Sequence, residues 1–170
     1  MLVFVALLST PAFATTADDV CPSAANPCTV SAAVTADPGS VLDFGSRQLD
    51  VTPTGSITIP TGLLTINAGS VRLETHGALL GGQTPDGTGA NIKVTTTGDV
   101  RIETGASGDA RIDVSAVNNP GEVDVLAGGA VYILGRINAI GTGTNGSGGI
   151  INVSAGGNLT LSGSVLRAMG

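Results

Sequence analysis

Apolar-x-apolar triplets, set apart by turns rich in glycine and asparagine, recur along most of this chain and restrict its fold more than any other feature. GEVDVLAGGAVYILGRINAIG (121–141) aligns with GIINVSAGGNLTLSGSVLRAMG (149–170) at a shift of 28 residues, Val123 onto Ile151. Val125 then falls on Val153, Gly128-Gly129 on Gly156-Gly157, and Val131/Ile133 on Leu159/Leu161. An earlier copy reads Ile92/Val94, Val100/Ile102 and Ile112/Val114. Upstream, Leu42/Phe44, Leu49/Val51, Ile57/Ile59, Leu64/Ile66, Val71/Leu73 and Ala78/Leu80 start seven or eight residues apart. Alternation of this kind marks a strand with one buried face. The Gly, Asn, Ser and Thr between triplets are turn formers. Sustained helical periodicity is absent, and the one place a short helix would fit is Thr29–Val34.

Three triplets make one coil, and stacked coils bury what no single coil could. The predicted fold is all-β: a right-handed three-sided parallel β-helix, a solenoid of about five coils of 22–31 residues. Right-handedness follows from the strong bias of parallel crossovers. One face takes 42/44, 64/66, 92/94, 123/125 and 151/153; a second takes 49/51, 71/73, 100/102, 131/133 and 159/161. The third takes 57/59, 78/80, 112/114, 137/139 and 165 onward. Five coils would give a rod segment of roughly 24 Å. An interior of stacked aliphatics suits a chain that is 42% apolar with 3 Phe, 1 Tyr and no Trp. The 26 Gly follow no three-residue period, which excludes collagen. Extra residues gather after the third face, in 81–91, 115–122 and 140–150, so three loops should project along one edge; a smaller excess lies at Thr104–Ala110. Among outward positions, Lys93 should neighbour Asp124, Arg101 should neighbour Tyr132, and Arg72 should stack on Arg101 with Glu74 and Glu103 close by.

Residues 1–14, MLVFVALLSTPAFA, join a short apolar run to Ala12-Phe13-Ala14, the pattern of a secretory signal peptide, with a mature chain starting near Thr15. The run is too short to cross a bilayer. Cys21 and Cys28 are the only cysteines, and in an exported chain they read as a local disulfide. Residues 15–40 are assigned to an N-terminal cap stapled by that bridge, and 41–170 to the β-helix. The expected location is secreted or cell-surface. A net charge of −6 with 7 Lys and Arg argues against nucleic acid and anionic membranes as partners.

Motifs that could carry chemistry each have a plainer reading. GTGTNG (141–146) fits the dinucleotide fingerprint in letters, but the strand IINV follows where a helix is needed. Asp86 in PDGTG, with Asn118, Asn119, Glu122 and Asn145 at the same edge, forms the candidate loop-edge binding set; calcium is conceivable there, but Pro-Asp-Gly is itself a turn signal. The strand carboxylates Glu74, Glu103, Asp113 and Asp124 do not form a paired acid site. His76, the sole histidine, reads as a surface corner residue. Asn145, Asn152 and Asn158 open formal glycosylation sequons; Asn67, Asn138, Asn152 and Asn158 are expected to satisfy backbone groups at corners. No catalytic residue, metal or cofactor is assigned.

On the VDVLAGGAVYILGRINAIG and INVSAGGNLTLSGSVLRAMG repeats, the chain from Leu42 onward resembles the pectin-lyase-like right-handed β-helix superfamily, nearest to bacterial surface proteins of the filamentous-haemagglutinin or autotransporter-passenger type. The resemblance implies a non-catalytic extracellular rod for adhesion or surface structure, with an extracellular glycan or protein as ligand on the loop edge. The catalytic Arg and acid cluster of the lyase branch has no match, so no catalytic residue carries over. The alternatives are the N-terminal part of a polysaccharide lyase or glycoside hydrolase, and a self-assembling fibre subunit. The pattern stops at Ala168-Met169-Gly170 without a cap, so end-to-end self-association, or continuation in a longer protein, is expected.

Overall fold

The computed structural model describes residues 14–106 and 108–170. The leader assigned to 1–14 lies, apart from Ala14, outside the described residues. Nearly all regular structure is parallel β. A five-stranded sheet contains Val41–Asp43, Leu63–Ala68, Asn91–Thr96, Glu122–Ala127 and Ile150–Ala155 in sequential order. A second, six-stranded sheet runs Cys28–Val30, Gln48–Val51, Ser70–Leu73, Val100–Ile102, Val131–Ile133 and Leu159–Leu161. A third, also six-stranded, runs Ala33–Thr35, Ser56–Ile59, Ala78–Gly81, Arg111–Asp113, Arg136–Asn138 and Val165–Arg167. Each strand pairs with the strand three elements or one coil away, never with its sequence neighbour, apart from a small antiparallel hairpin at Thr104–Gly105 and Gly108–Asp109. This is a solenoid-like arrangement of stacked coils.

Register makes the core. Leu64 lies opposite Ile92, Ile92 opposite Val123, and Val123 opposite Ile151. In the second sheet Leu49, Val71, Val100, Val131 and Leu159 form one inward column and Val51, Leu73, Ile102, Ile133 and Leu161 another. From Leu49 to Ile137 these aliphatics are almost completely buried, in one continuous cluster. Side chains at outward positions alternate with them, as the period of a strand requires.

Three expectations are corrected. The Ala78/Leu80 pair is out by one residue: Leu79 lies between Ile57 and Ile112, and Gly81 lies opposite Ile59. Two adjacent leucines satisfy either period-2 phase, so the neighbouring coils decide it. Gly81 takes the inward position because a Cβ there would lie 3.1 Å from Val114 Cγ1 and 3.2 Å from Ala90 O. In the first coil, Leu42 lies opposite Ile66, not Leu64. Thr65 N donates to Ser40 O, which places Ser40, fully buried, at the head of that column. Thr29–Val34 is not helical; it holds the strand Cys28–Val30 and the start of Ala33–Thr35, while the described helix is Ala17–Val20. The parallel pairing therefore begins inside the 15–40 segment assigned to a cap, with Cys28 opposite Leu49 and Val34 opposite Ile57.

The disulfide Cys21–Cys28 joins the helical segment to the first strand. Asp19 Oδ2 accepts from the Thr16 backbone N–H at 2.8 Å and from Thr16 Oγ1 at 2.7 Å, fixing the start of that helix. These bonds, the backbone one first, hold the Asp19 carboxyl below its ordinary value.

Candidate functional site

The loops 81–91, 115–122 and 140–150 lie one on another, and backbone hydrogen bonds join them. Asn118 N and Asn119 N both donate to Gly87 O, at 3.0 and 3.1 Å, and Gly89 N returns a bond to Asn119 O at 2.7 Å. One coil further on, Thr142 N donates to Ala116 O, Gly143 N to Val117 O, and Ser147 N to Asn118 O, all within 2.9 Å. The result is a ledge in which irregular backbone continues the stacking of the strands. Gln83, which the sequence did not single out, contributes by accepting from Val117 N at 2.8 Å.

The five candidate ledge residues do not form one constellation. Asp86 sits in a turn closed by Gly87 N to Thr84 O, with Gly87 at φ +78. Its carboxylate accepts from the hydroxyls of Thr84 and Thr88. Those bonds, Thr84 foremost, hold its pKa below the usual value. Asn118 Nδ2 donates to Asp86 O at 2.7 Å, so these two are brought together. Asn119 Oδ1 accepts from Ser147 Oγ at 3.5 Å. Glu122 has left the loop: it opens the strand Glu122–Ala127, its N–H donates to Asn91 Oδ1, and its Oε1 accepts from Asn152 at 2.8 Å. Asn145 is exposed on the outermost loop. Among the described residues no cluster of three or more His, Cys, Asp or Glu could hold a metal ion. The GTGTNG stretch runs into the strand Ile150–Ala155, so no helix terminus faces it.

The outer face of the second sheet carries a ladder of charged side chains. Asp50, Arg72, Arg101 and Tyr132 occupy successive positions in register. The Arg101 guanidinium lies over the Tyr132 ring, 4.8 Å from its centroid. Glu103 Oε1 accepts from Arg101 Nε at 3.0 Å and from Arg72 Nε at 3.4 Å, while Arg72 Nη1 also reaches Glu74 at 3.3 Å. A groove of about 650 Å³ runs beside this ladder, lined by Asn26, Gln48, Ser70, Arg72, Asp99 and Arg101 among others. Asn26 and Asp99 come from corners, and no periodicity argument could have placed them. Their side-chain oxygens accept from Gln48 N at 3.0 Å and Ala130 N at 2.8 Å, so both serve the scaffold.

Asn138 and Asn152 do not serve backbone groups at corners as expected; both lie within strands and donate to carboxylates of the neighbouring coil. Asn138 Nδ2 donates to Asp113 Oδ2 at 3.1 Å, and Asn152 Nδ2 donates to Asp124 Oδ1 at 2.8 Å. Asp124 also stands beside Lys93 in register. His76 is exposed at its corner, with φ +69. The Thr104–Asp109 hairpin packs near it, since a Cβ on Gly108 would fall 2.4 Å from His76 Cε1. In that hairpin the Asp109 carboxyl is held below its usual range, first by the Thr104 hydroxyl at 2.5 Å, then by Arg136 at 2.7 Å.

Comparison with known proteins finds no matching family model, no matching curated protein and no matching solved structure. The solenoid-like β-helical character of the chain thus rests on strand pattern and coil stacking alone.

Proposed function

We propose that this chain is a non-catalytic extracellular rod, wound as a right-handed three-sided β-helix, that serves in adhesion or surface structure. The observation that carries this reading is the ledge. Three long loops are held on one edge by bonds between coils, with Asn118, Asn119 and Val117 exposed along it. Loops anchored in this way present a surface of fixed shape, and solenoids commonly bind through insertions gathered on one face. An extracellular glycan or protein is the ligand class proposed for it. The disulfide Cys21–Cys28 supports an oxidising compartment, and the A-x-A pattern ending at Ala14 supports export. The three-sided winding is supported by three parallel sheets that each receive one strand per coil, and the right hand by the bias of parallel crossovers.

The test is to produce the full chain in an exporting host and recover it from outside the cytoplasm. An N-terminus at Thr15 and an oxidised Cys pair are expected. The recovered protein is then applied to arrays of glycans and matrix proteins, beside an Asn118→Ala/Asn119→Ala variant. Binding that drops at least about tenfold in the variant supports the ledge. Retention of the chain in the cytoplasm, or cleavage of polygalacturonate by the purified protein, overturns the reading.

A further inference from the structure

The three loops of the ledge contain no Lys, Arg or His, and their only ionisable side chains are two acids, Asp86 and Glu122. Both acids are already engaged. Asp86 accepts from the hydroxyls of Thr84 and Thr88, one on each oxygen, and Glu122 accepts from Asn152 in the next coil. What the ledge leaves unengaged is neutral. Gln83 Oε1 accepts from Val117 N, and Asn118 Nδ2 donates to Asp86 O, so the loops 81–91 and 115–122 are clasped by an amide from each side. The other ends of those amides, Gln83 Nε2 and Asn118 Oδ1, have no hydrogen-bond partner among the described residues, and neither has Asn119 Nδ2. Gln83, Asn118 and Asn119 are exposed, and Val117 beside them is 41% exposed. The strands that follow these two loops, Asn91–Thr96 and Glu122–Ala127, are each paired on both sides, so the patch belongs to the interior of the stack.

We infer that this patch binds a neutral, hydroxyl-rich glycan and discriminates against acidic ones. A sugar hydroxyl donates and accepts at once, and the unengaged amide groups offer it both kinds of partner: donors at Gln83 Nε2 and Asn119 Nδ2, an acceptor at Asn118 Oδ1. Val117 supplies an apolar spot for the C–H face of a sugar ring, the usual complement to a few placed polar groups. A sulfate or uronate carboxylate would lose water here with no cation to replace it, beside two acids and on a chain of net charge −6. A protein partner is less well served. Its interface needs an apolar core, commonly with aromatic anchors, and the three loops contain no aromatic residue. The ligand class rests on the ledge being the binding surface, as proposed above; it narrows that reading from any glycan or protein to one charge class of glycan.

The test applies the purified full chain to surfaces carrying neutral hexose and pentose glycans, dextran among them, beside dextran sulfate and polygalacturonate. Multivalent display is used because a patch without aromatic side chains gains affinity by repetition. Neutral glycans should be held at least about tenfold more tightly than the acidic ones, a difference of about 1.4 kcal/mol. Capture should persist at about 0.5 M salt, where interactions between exposed charges are largely screened. Gln83→Glu and Asn119→Asp keep the oxygens that accept from Val117 N and Ser147 Oγ but remove the unengaged donors. Each should weaken capture about tenfold, with thermal melts showing that it folds. Asp50→Asn, on the outer face of the second sheet, should leave capture unchanged. If neither loop variant folds, the ranking of neutral over acidic glycans by the parent chain, and its indifference to salt, decide. Capture of only sulfated or uronate glycans, or of only matrix proteins, lost in Asn118→Ala/Asn119→Ala, overturns the neutral class and leaves the ledge reading standing. Capture of nothing through the ledge overturns both.

Discussion

Arg72 and Arg101 stand side by side in adjacent strands of the second sheet, and one oxygen, Glu103 Oε1, accepts from both. Strands in a sheet lie about 4.8 Å apart, too close for two guanidinium groups without a counter-ion. Glu103, only 17% exposed, supplies it from within the same strand run, and Tyr132 covers the far side of Arg101. Glu103→Gln should lower stability by at most about 1 kcal/mol, since both arginines are more than two-fifths exposed. Thermal melts at low and high salt check this: the loss should shrink as salt screens the arginine pair.

Ser40 should respond in the opposite direction. It is fully buried at the head of the Leu64–Ile92–Val123 column, and its Oγ has no hydrogen-bond partner among the described residues. A buried hydroxyl without a partner costs about 1–3 kcal/mol. Ser40→Ala removes that hydroxyl and leaves the backbone bonds of residue 40 in place. Denaturant titration should show the variant as stable as the parent or more so, by up to about 2 kcal/mol.

Gly121 is where the ledge returns to the wall. A Cβ on it would lie 1.8 Å from Ala90 O, a main-chain atom that cannot rotate away. Gly121→Ala should force the 115–122 loop away from the coil below and cost about 1–3 kcal/mol. Chemical denaturation measures the loss. Exchange mapping should place the disturbance at Ala90, Asn91 and Glu122, because Glu122 N donates to Asn91 Oδ1.

Acid should loosen the turns before the core. Asp86, Asp109 and Asp19 are all held below the ordinary value of 3.8, by hydroxyl, backbone and Arg136 donors. A carboxyl depressed in the folded state contributes stability that is complete above its unfolded value and is lost as pH falls through the folded one. The melting temperature should therefore begin to drop below pH 3.8 and keep falling under it. Thr84→Val and Thr104→Val should each flatten part of that decline, which a pH series of thermal melts would show.

Much of the scaffold was legible in the residues. The Val123-to-Ile151 shift, the second-sheet columns and the three loops of one edge all follow from triplets whose alternation is unmistakable. The Arg101–Tyr132 contact was legible too, because it needs only the register. Less of the candidate site could be read. Asp86 and Asn118 meet, but through a side-chain donor and a main-chain carbonyl, and Glu122 turns to Asn152 in the next coil. Gln83 and Asp99 act through main-chain N–H groups 34 and 31 residues away, and no spacing rule marks such partners.

The residues by themselves determined that strands form and which of their faces is apolar, because alternation of side chains along a strand is a local property of the backbone. Only the folded chain decided the phase of Ala78–Gly81, the step that puts Leu42 under Ile66, and the start of pairing at Cys28. Those depend on how one coil fits the next. The deciding contacts, such as the crowding of Gly81 by Val114 and Ala90, exist only after residues distant in sequence have stacked.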